Sequence, residues 1–342
     1  MKIEEDYSIK PHTTFGVDAD VSYYVEYETE EELKELIESG FLLDREVLSL
    51  GGGSNVLFCD DFDGVVLHSE IKGIEEVERT EDTVLLRVGA GEVWDDFVAW
   101  TIAHGFYGAE NLSAIPGSVG ATPVQNIGAY GVEAKDLIER VECVDTKSAY
   151  TVTFEGNELA FGYRDSAFKH DLKGIFIVTR VYYRLSLRPS FKLDYGTIRK
   201  ELEGKEVTLQ TVREAVMRIR NSKLPDPSVT GNAGSFFRNP VISRDRYEEL
   251  EEEYPGMPHY EAEGGVKIPA AWLIEQCGWK GRTLGKAGVC ETQPLVLVNR
   301  GGAYGHDILE LSDQIRASVR GKFGIEISPE VILVAVPDEE NG

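Results

Sequence analysis

The sequence predicts an α+β protein of more than one domain, on three observations. Short stretches with the alternation of strands are interleaved with separate amphipathic helices along the whole chain. At 342 residues the chain is too long for one ordinary core. A proline-containing break, KLPDP at 223–227, is the best linker in the chain.

Taken in order, 21–28 alternates as a strand, and Thr29 with Glu32 makes a capping box ahead of Leu33, Leu36 and Ile37, so a helix is expected to end at Gly40. A strand at 47–50 breaks into GGGSNVLF at 51–58. A tight hairpin explains that turn as well as a phosphate-binding loop does. It is not a dinucleotide fingerprint, because no third glycine follows at the right offset and no clear helix opens after it. Strand 83–88 leads to Gly89 and Gly91, after which Val93, Phe97, Val98, Thr101 and Ile102 recur at helical spacing up to Gly105. Trp94 and Trp100 in that helix are expected in the core. Further strands are expected at 137–145, 149–154 and 175–187, and a helix at 209–222, built on Val212, Val216 and Ile219, precedes the linker. Beyond it come a glutamate-rich helix at 245–253, a helix at 270–277 and a strand at 294–299. A helix at 306–321 buries Ile308, Leu311, Ile315 and Val319, and a last strand spans 326–336.

Composition excludes several classes. A formal net charge of -25, from 60 acidic and 35 basic residues, opposes a nucleic-acid partner. It also means that an anionic substrate must be met by individual Arg and Lys side chains set against the global field. No apolar run approaches the ~20 residues of a membrane span, and MKIEEDYSIK lacks a basic-then-apolar signal pattern, so a soluble cytoplasmic protein without membrane insertion is expected. Cys59, Cys143, Cys277 and Cys290 are widely spaced and expected as reduced thiols. The six histidines are scattered as well, so no metal is expected. There is no P-loop, since GRTLGKA at 281–287 is one residue short between its glycines, no G-x-S-x-G elbow and no H-E-x-x-H.

The most informative stretch is IPGSVGATPVQNIGAYG at 115–131. Four glycines and the small residues Ser118, Ala121 and Ala129 leave backbone amides open to a ligand, and successive amides pointing one way favour an anion such as a pyrophosphate. Loops of this length without periodicity are usually functional or disordered, and Pro116, Pro123, Asn126 and Tyr130 argue against disorder. Other polar residues stand in glycine, proline or aromatic frames, in FGYRDS, LDYG, KLPDP, NAGSFFRNP and SPE.

The string at 116–131 resembles the flavin-pyrophosphate loop of the UDP-N-acetylenolpyruvoylglucosamine reductases, and the resemblance extends from PHTTFG at Pro11 to Val336. It implies a two-part FAD-binding domain of the vanillyl-alcohol-oxidase/PCMH-like type, with a C-terminal α+β substrate-binding domain. The corresponding regions are 1–70 together with the last strand at 329–342, then 71–225, and 226–328. FAD, held without a covalent bond, is expected at Gly52, Gly53, Ser54, Asn55, Pro116, Gly117, Ser118, Val119, Gly120, Ala121, Thr122, Asn126, Gly128, Tyr130 and Val178. His68 and Cys143 are not in attachment contexts. The resemblance places substrate binding at Tyr195, which marks the longer of two family types, and at Lys223, Asn239, Tyr260, Lys267 and Gln293. NADPH is the expected co-substrate, UDP-N-acetylglucosamine enolpyruvate the expected substrate, and a monomer the expected state.

The three catalytic positions carry over to Arg164, Ser235 and Glu330. Reducing an enol ether beside a carboxylate puts hydride on one carbon and a proton on its neighbour, through a highly basic enolate-like dianion whose charge must be stabilised. Arg164 offers a charged fork to the carboxylate. Glu330 helps as a neutral carboxylic acid that donates a hydrogen bond. Ser235 protonates the basic carbon when within reach. Ile332 departs from the family's usual basic residue two positions after the glutamate. Two rivals share these loops: a flavin oxidase of alcohols or sugars, and a flavin- or nucleotide-sugar-binding protein without turnover.

Overall fold

The computed structural model describes residues 1–195 and 197–336; residues 337–342 of the expected last strand lie outside the described residues. The chain forms two compact units. One comprises Met1–Tyr7, Val21–Gly52 and Asp63–Ser222, the other Ser8–Asp20, Gly53–Phe62 and Lys223–Gly342.

The first unit is built on two sheets. A four-stranded sheet has the order Lys2–Ser8, Asp20–Tyr27, Phe62–Ser69, Glu46–Leu50, and its last pair is parallel. Strands Thr151–Glu155, Ile138–Asp145, Phe176–Ser186, Thr83–Gly89 and Ile74–Arg79 make an antiparallel five-stranded sheet in that order. Helix Glu30–Glu38 starts where Thr29 accepts a bond from the Glu32 N–H, and packs Leu33, Leu36 and Ile37 between the sheets with Val65, Leu67, Val144 and Ile177. The other face of the larger sheet buries Leu86, Val141, Val181 and Tyr183 against helix Trp94–Ala103 and the glycine-rich loop. Trp94 sits in this core with its indole N–H on the Leu112 carbonyl (2.9 Å), whereas Trp100 is half-buried and stacks on His104. Helix Leu209–Lys223 buries Val212, Val216 and Ile219 in a smaller cluster with Ile198 and Leu202.

The second unit has one large core and a small cluster of Cys290, Val296 and Val298. Helix Gly305–Phe323 contributes Ile308, Leu311, Ile315, Val319 and Phe323, and ends at Gly324 in the left-handed region. Helices Arg244–Glu253 and Ala270–Gln276 and two three-stranded sheets complete it. Segments 8–20 and 53–62 belong here rather than with the remainder of 1–70, because the Thr14 N–H bonds the Gly53 carbonyl (3.1 Å) and the Thr14 hydroxyl the Asn232 carbonyl (2.6 Å).

One of two open alternatives falls away and one expectation is corrected. The glycine turn at 51–55 is not a hairpin: strand Val56–Phe58 beyond it pairs with Ile332–Val334 in parallel. The last strand is reduced to Ile332–Val334, since 328–330 bond to the loop at 236–238 instead of continuing a ladder. Among the described residues no helix is long and apolar enough to cross a membrane, and no group of three or more His, Cys, Asp or Glu side chains could hold a metal. All four cysteines are free, Cys277 being half-buried; burial pushes the Cys59 thiol up to about 11 and Cys143 up as well.

Candidate active site

In the first unit the chain passes from strand Glu46–Leu50 into Gly51 and Gly52, which lie directly on the loop at 115–121. A Cβ at Gly52 would stand 2.9 Å from the Gly117 Cα, so backbone meets backbone there and only glycine fits. The loop then makes one turn of 3-10 helix at Val119–Ala121 and a short helix Thr122–Gln125, closed by Asn126 with φ +43°.

Several side chains expected at the flavin are spent inside the fold. Val119 is fully buried, and the Thr122 hydroxyl is shared with the Val119 carbonyl and the Tyr183 hydroxyl (2.6 Å). Asn126 donates to the Gly162 carbonyl (2.7 Å) and accepts from the Lys135 N–H (3.0 Å), which ties the glycine loop to the turn carrying Arg164. Val178 is buried on its strand opposite Cys143. The backbone N–H groups of Val119 and Asn126 are likewise bonded within the fold, to the Glu92 and Thr122 carbonyls.

Arg164 sits in the tight turn at 162–165 with φ +55°, a conformation uncommon for a residue other than glycine. Its Nη2 donates to the Gly128 carbonyl (2.7 Å), and its own carbonyl accepts from Lys169. The arginine is therefore fixed against the glycine loop. Tyr195 is exposed and rests on Gly131.

Nothing in the sequence patterning marked Arg220, one helical turn before Lys223. Its Nε donates to the Ala114 carbonyl (3.1 Å) at the head of the loop. Burial lowers the ionisation of this guanidinium; Tyr130 and Asp95 oppose that, and Arg164 reinforces it as a like charge. Two guanidinium groups that repel each other beside a row of glycines form a donor set suited to an anion.

In the second unit, Gly53 has φ +58° and a Cβ there would run into the His12 carbonyl. The Thr13 hydroxyl beside this turn is buried without a hydrogen-bond partner. Asn55 donates from its side chain to the Glu330 carbonyl (3.3 Å) and accepts at its own carbonyl from the Ile332 N–H (3.0 Å). The Glu330 N–H in turn bonds the Phe236 carbonyl (2.7 Å), and the Phe236 N–H the Leu295 carbonyl (2.7 Å). Phe236 is fully buried, and Ser235, preceding it, follows Gly234 at φ +66°. Ser235, Glu330 and the 53–55 turn are thus brought together. Ile332 occupies its departing position as a half-exposed strand residue paired with Val56.

The expected substrate residues of this unit fall at three places. Lys223 accepts at its carbonyl from the Thr292 hydroxyl (3.0 Å), which places it beside Gln293. Tyr260 and Lys267 are direct partners across a hairpin, and Val241 faces Lys267 from the other side. Asn239 accepts from the Ala270 N–H (2.9 Å) and so caps helix Ala270–Gln276.

Residues 21–153 match the model of an FAD binding domain, and residues 226–334 that of the UDP-N-acetylenolpyruvoylglucosamine reductase C-terminal domain. The first match makes the chain an FAD-binding flavoprotein, consistent with the glycine turns and cationic pair just described. A UDP-N-acetylenolpyruvoylglucosamine reductase from Bacteroides fragilis is 54% identical over 97% of this chain and 100% of its own length. One from Porphyromonas gingivalis is 48% identical over 97% and 99%. The crystal structure of a UDP-N-acetylenolpyruvylglucosamine reductase from Thermus caldophilus superposes with a TM-score of 0.70, at 25% identity, over 98% of this chain and 99% of that one. The chain belongs to the UDP-N-acetylenolpyruvoylglucosamine reductase family.

Proposed function

We propose that the protein reduces the enolpyruvyl double bond of UDP-N-acetylglucosamine enolpyruvate to give UDP-N-acetylmuramate, a peptidoglycan precursor, with NADPH as electron source, acting as a cytoplasmic monomer. FAD, when bound, supplies the hydride. The residues that would hold it are the turn Gly52–Asn55 and the loop 116–130, with Arg220 as a cation beside the loop.

The chain's own side chains then handle charge and proton. Arg164, held by the Gly128 carbonyl, presents its remaining N–H groups to the substrate carboxylate and stabilises negative charge developing there. Ser235 gives its hydroxyl proton to the carbon next to that carboxylate. Glu330 helps only when it carries a proton, by donating a hydrogen bond to the same developing charge. Lys223, Tyr195, Asn239, Tyr260, Lys267 and Gln293 bind the nucleotide sugar, where lysine charge offsets both the diphosphate and the protein's net -25.

The observation that supports this reading is the knot of hydrogen bonds joining Asn55, Glu330 and Phe236, the residue after Ser235, beside a glycine turn. Anaerobic titration tests it. NADPH should bleach the flavin of the purified protein, and UDP-N-acetylglucosamine enolpyruvate should restore the colour with one product formed per flavin. Restoration by O2 but not by the enolpyruvyl sugar would instead identify an oxidase.

A further inference from the structure

Asn111 is fully buried, on a single turn of 3-10 helix at Glu110–Leu112. It uses both hydrogens of its amide on two different segments: Nδ2 donates to the Tyr130 carbonyl at 2.9 Å and to the Lys192 carbonyl at 2.8 Å. Tyr130 lies in the glycine-rich loop, and Lys192 lies three residues before Tyr195. The two segments also share a packing cluster, in which Tyr130, Phe191 and Leu193 lie against Ile198, Leu202 and Val216. At Gly131 a Cβ would stand 3.4 Å from the Tyr195 Cβ, so the stem of that tyrosine rests on the loop. With φ +50° at Tyr130 and +80° at Gly131, the backbone under it is held in one left-handed turn.

We propose that Asn111 is a positioning residue through which the flavin loop holds the Tyr195 segment in place, coupling cofactor occupancy to capture of the nucleotide sugar. The inference rests on the assignment of Tyr195 to substrate binding made above. A primary amide is suited to this place because it alone among short side chains offers two donors to two carbonyls. An alanine would leave both carbonyls without their donor, and the Tyr195 segment would lose its attachment at Lys192. Coupling of this kind is reciprocal: ordering either segment favours the other.

The test uses the FAD-loaded enzyme with Asn111→Ala, Tyr195→Ala and the double variant, the two half-reactions being followed separately by stopped flow. Asn111→Ala should leave flavin reduction by NADPH within about twofold and raise the KM for the enolpyruvyl sugar about tenfold, on the scale of a lost buried hydrogen bond. Added to Tyr195→Ala it should change that KM by less than about twofold, because both act through one segment. Multiplying effects, or equal slowing of both half-reactions, would overturn the proposal. The wild-type chain supplies a second measurement that does not depend on the variant folding. Amide hydrogen exchange at 191–195 should slow when FAD is added to apoprotein, and unchanged exchange would overturn the coupling. A wild-type enzyme whose flavin the sugar does not reoxidise would refute the functional reading instead, while the exchange measurement would still decide the coupling.

Discussion

Asp95→Asn is the perturbation whose cost the structure defines most closely. Asp95 stands in the first turn of helix Trp94–Ala103 and takes three short bonds, from Arg213 Nη1 (2.6 Å) and Nη2 (2.8 Å) and from the Ala114 N–H (2.6 Å). Ala114 is itself left-handed, at φ +58°, and its carbonyl is held by Arg220. The ion pair thus fixes the peptide from which the glycine loop departs. Burial alone would disfavour ionisation of Asp95, but the bonds from Arg213 and Ala114 outweigh it and hold the carboxyl below the usual range. Asparagine keeps one acceptor for Ala114 but turns N–H groups toward the guanidinium. Arg213 is 13% exposed and is left without its charge partner. Losing a buried partner costs about 3–5 kcal/mol; since the Asp95 side chain is 28% exposed, solvent screening reduces this to about 2–3 kcal/mol. Urea denaturation at pH 7 measures it. Because the folded value is depressed, the stabilisation is fully present above the unfolded value of about 3.9 and is lost as pH falls through the folded one. The difference between wild type and variant should therefore be constant from about pH 5 to 8 and shrink below about pH 4. A loss under about 0.5 kcal/mol, or one that grows on acidification, would refute the reasoning.

Three further outcomes are expected. Arg220→Leu should weaken FAD retention by at least about tenfold, measured by flavin fluorescence on dilution, since a charge-assisted contact is worth about 1.5–3 kcal/mol; unchanged retention would remove Arg220 from the cofactor site. Gly53→Ala should destabilise the protein by more than about 2 kcal/mol in thermal or urea unfolding, as left-handed φ and a collision with the His12 carbonyl act together; a neutral substitution would mean that the turn relaxes freely. Thr29→Ala should cost about 1 kcal/mol by loss of the bond to the Glu32 N–H, with no change in flavin affinity, because that helix end serves only the packing between the sheets.

Periodicity made the long elements legible. Val212, Val216 and Ile219, or Ile308, Leu311, Ile315 and Val319, repeat at helical spacing and are buried as that spacing requires. Short strands were harder. Lys2–Ser8 is exposed at most positions and shows no apolar alternation, and in Phe62–Ser69 the consecutive buried residues Val65, Val66 and Leu67 do not alternate. The end of the chain misled because 326–336 is apolar enough for one long strand, yet Ser328, Pro329 and Glu330 bond to the 236–238 loop. Non-local backbone pairing of this kind leaves no local mark. In the candidate site, motif glycines and framed polar residues could be read directly. The duties of Thr122 and Asn126 could not, since whether a hydroxyl or amide faces a ligand or Tyr183 and Gly162 depends on segments distant in sequence. Arg220 and Asn111 stayed hidden for the same reason: each bonds to a backbone carbonyl of another segment.

The proton assignment is the centre of the account, and single-turnover kinetics of Ser235→Ala test it most directly. The variant should bind FAD and be bleached by NADPH at the wild-type rate, while reoxidation by the enolpyruvyl sugar should slow by about 10²–10⁴-fold, the range for removal of a positioned proton donor. Equal slowing of both half-reactions, or reoxidation at the wild-type rate, would contradict it.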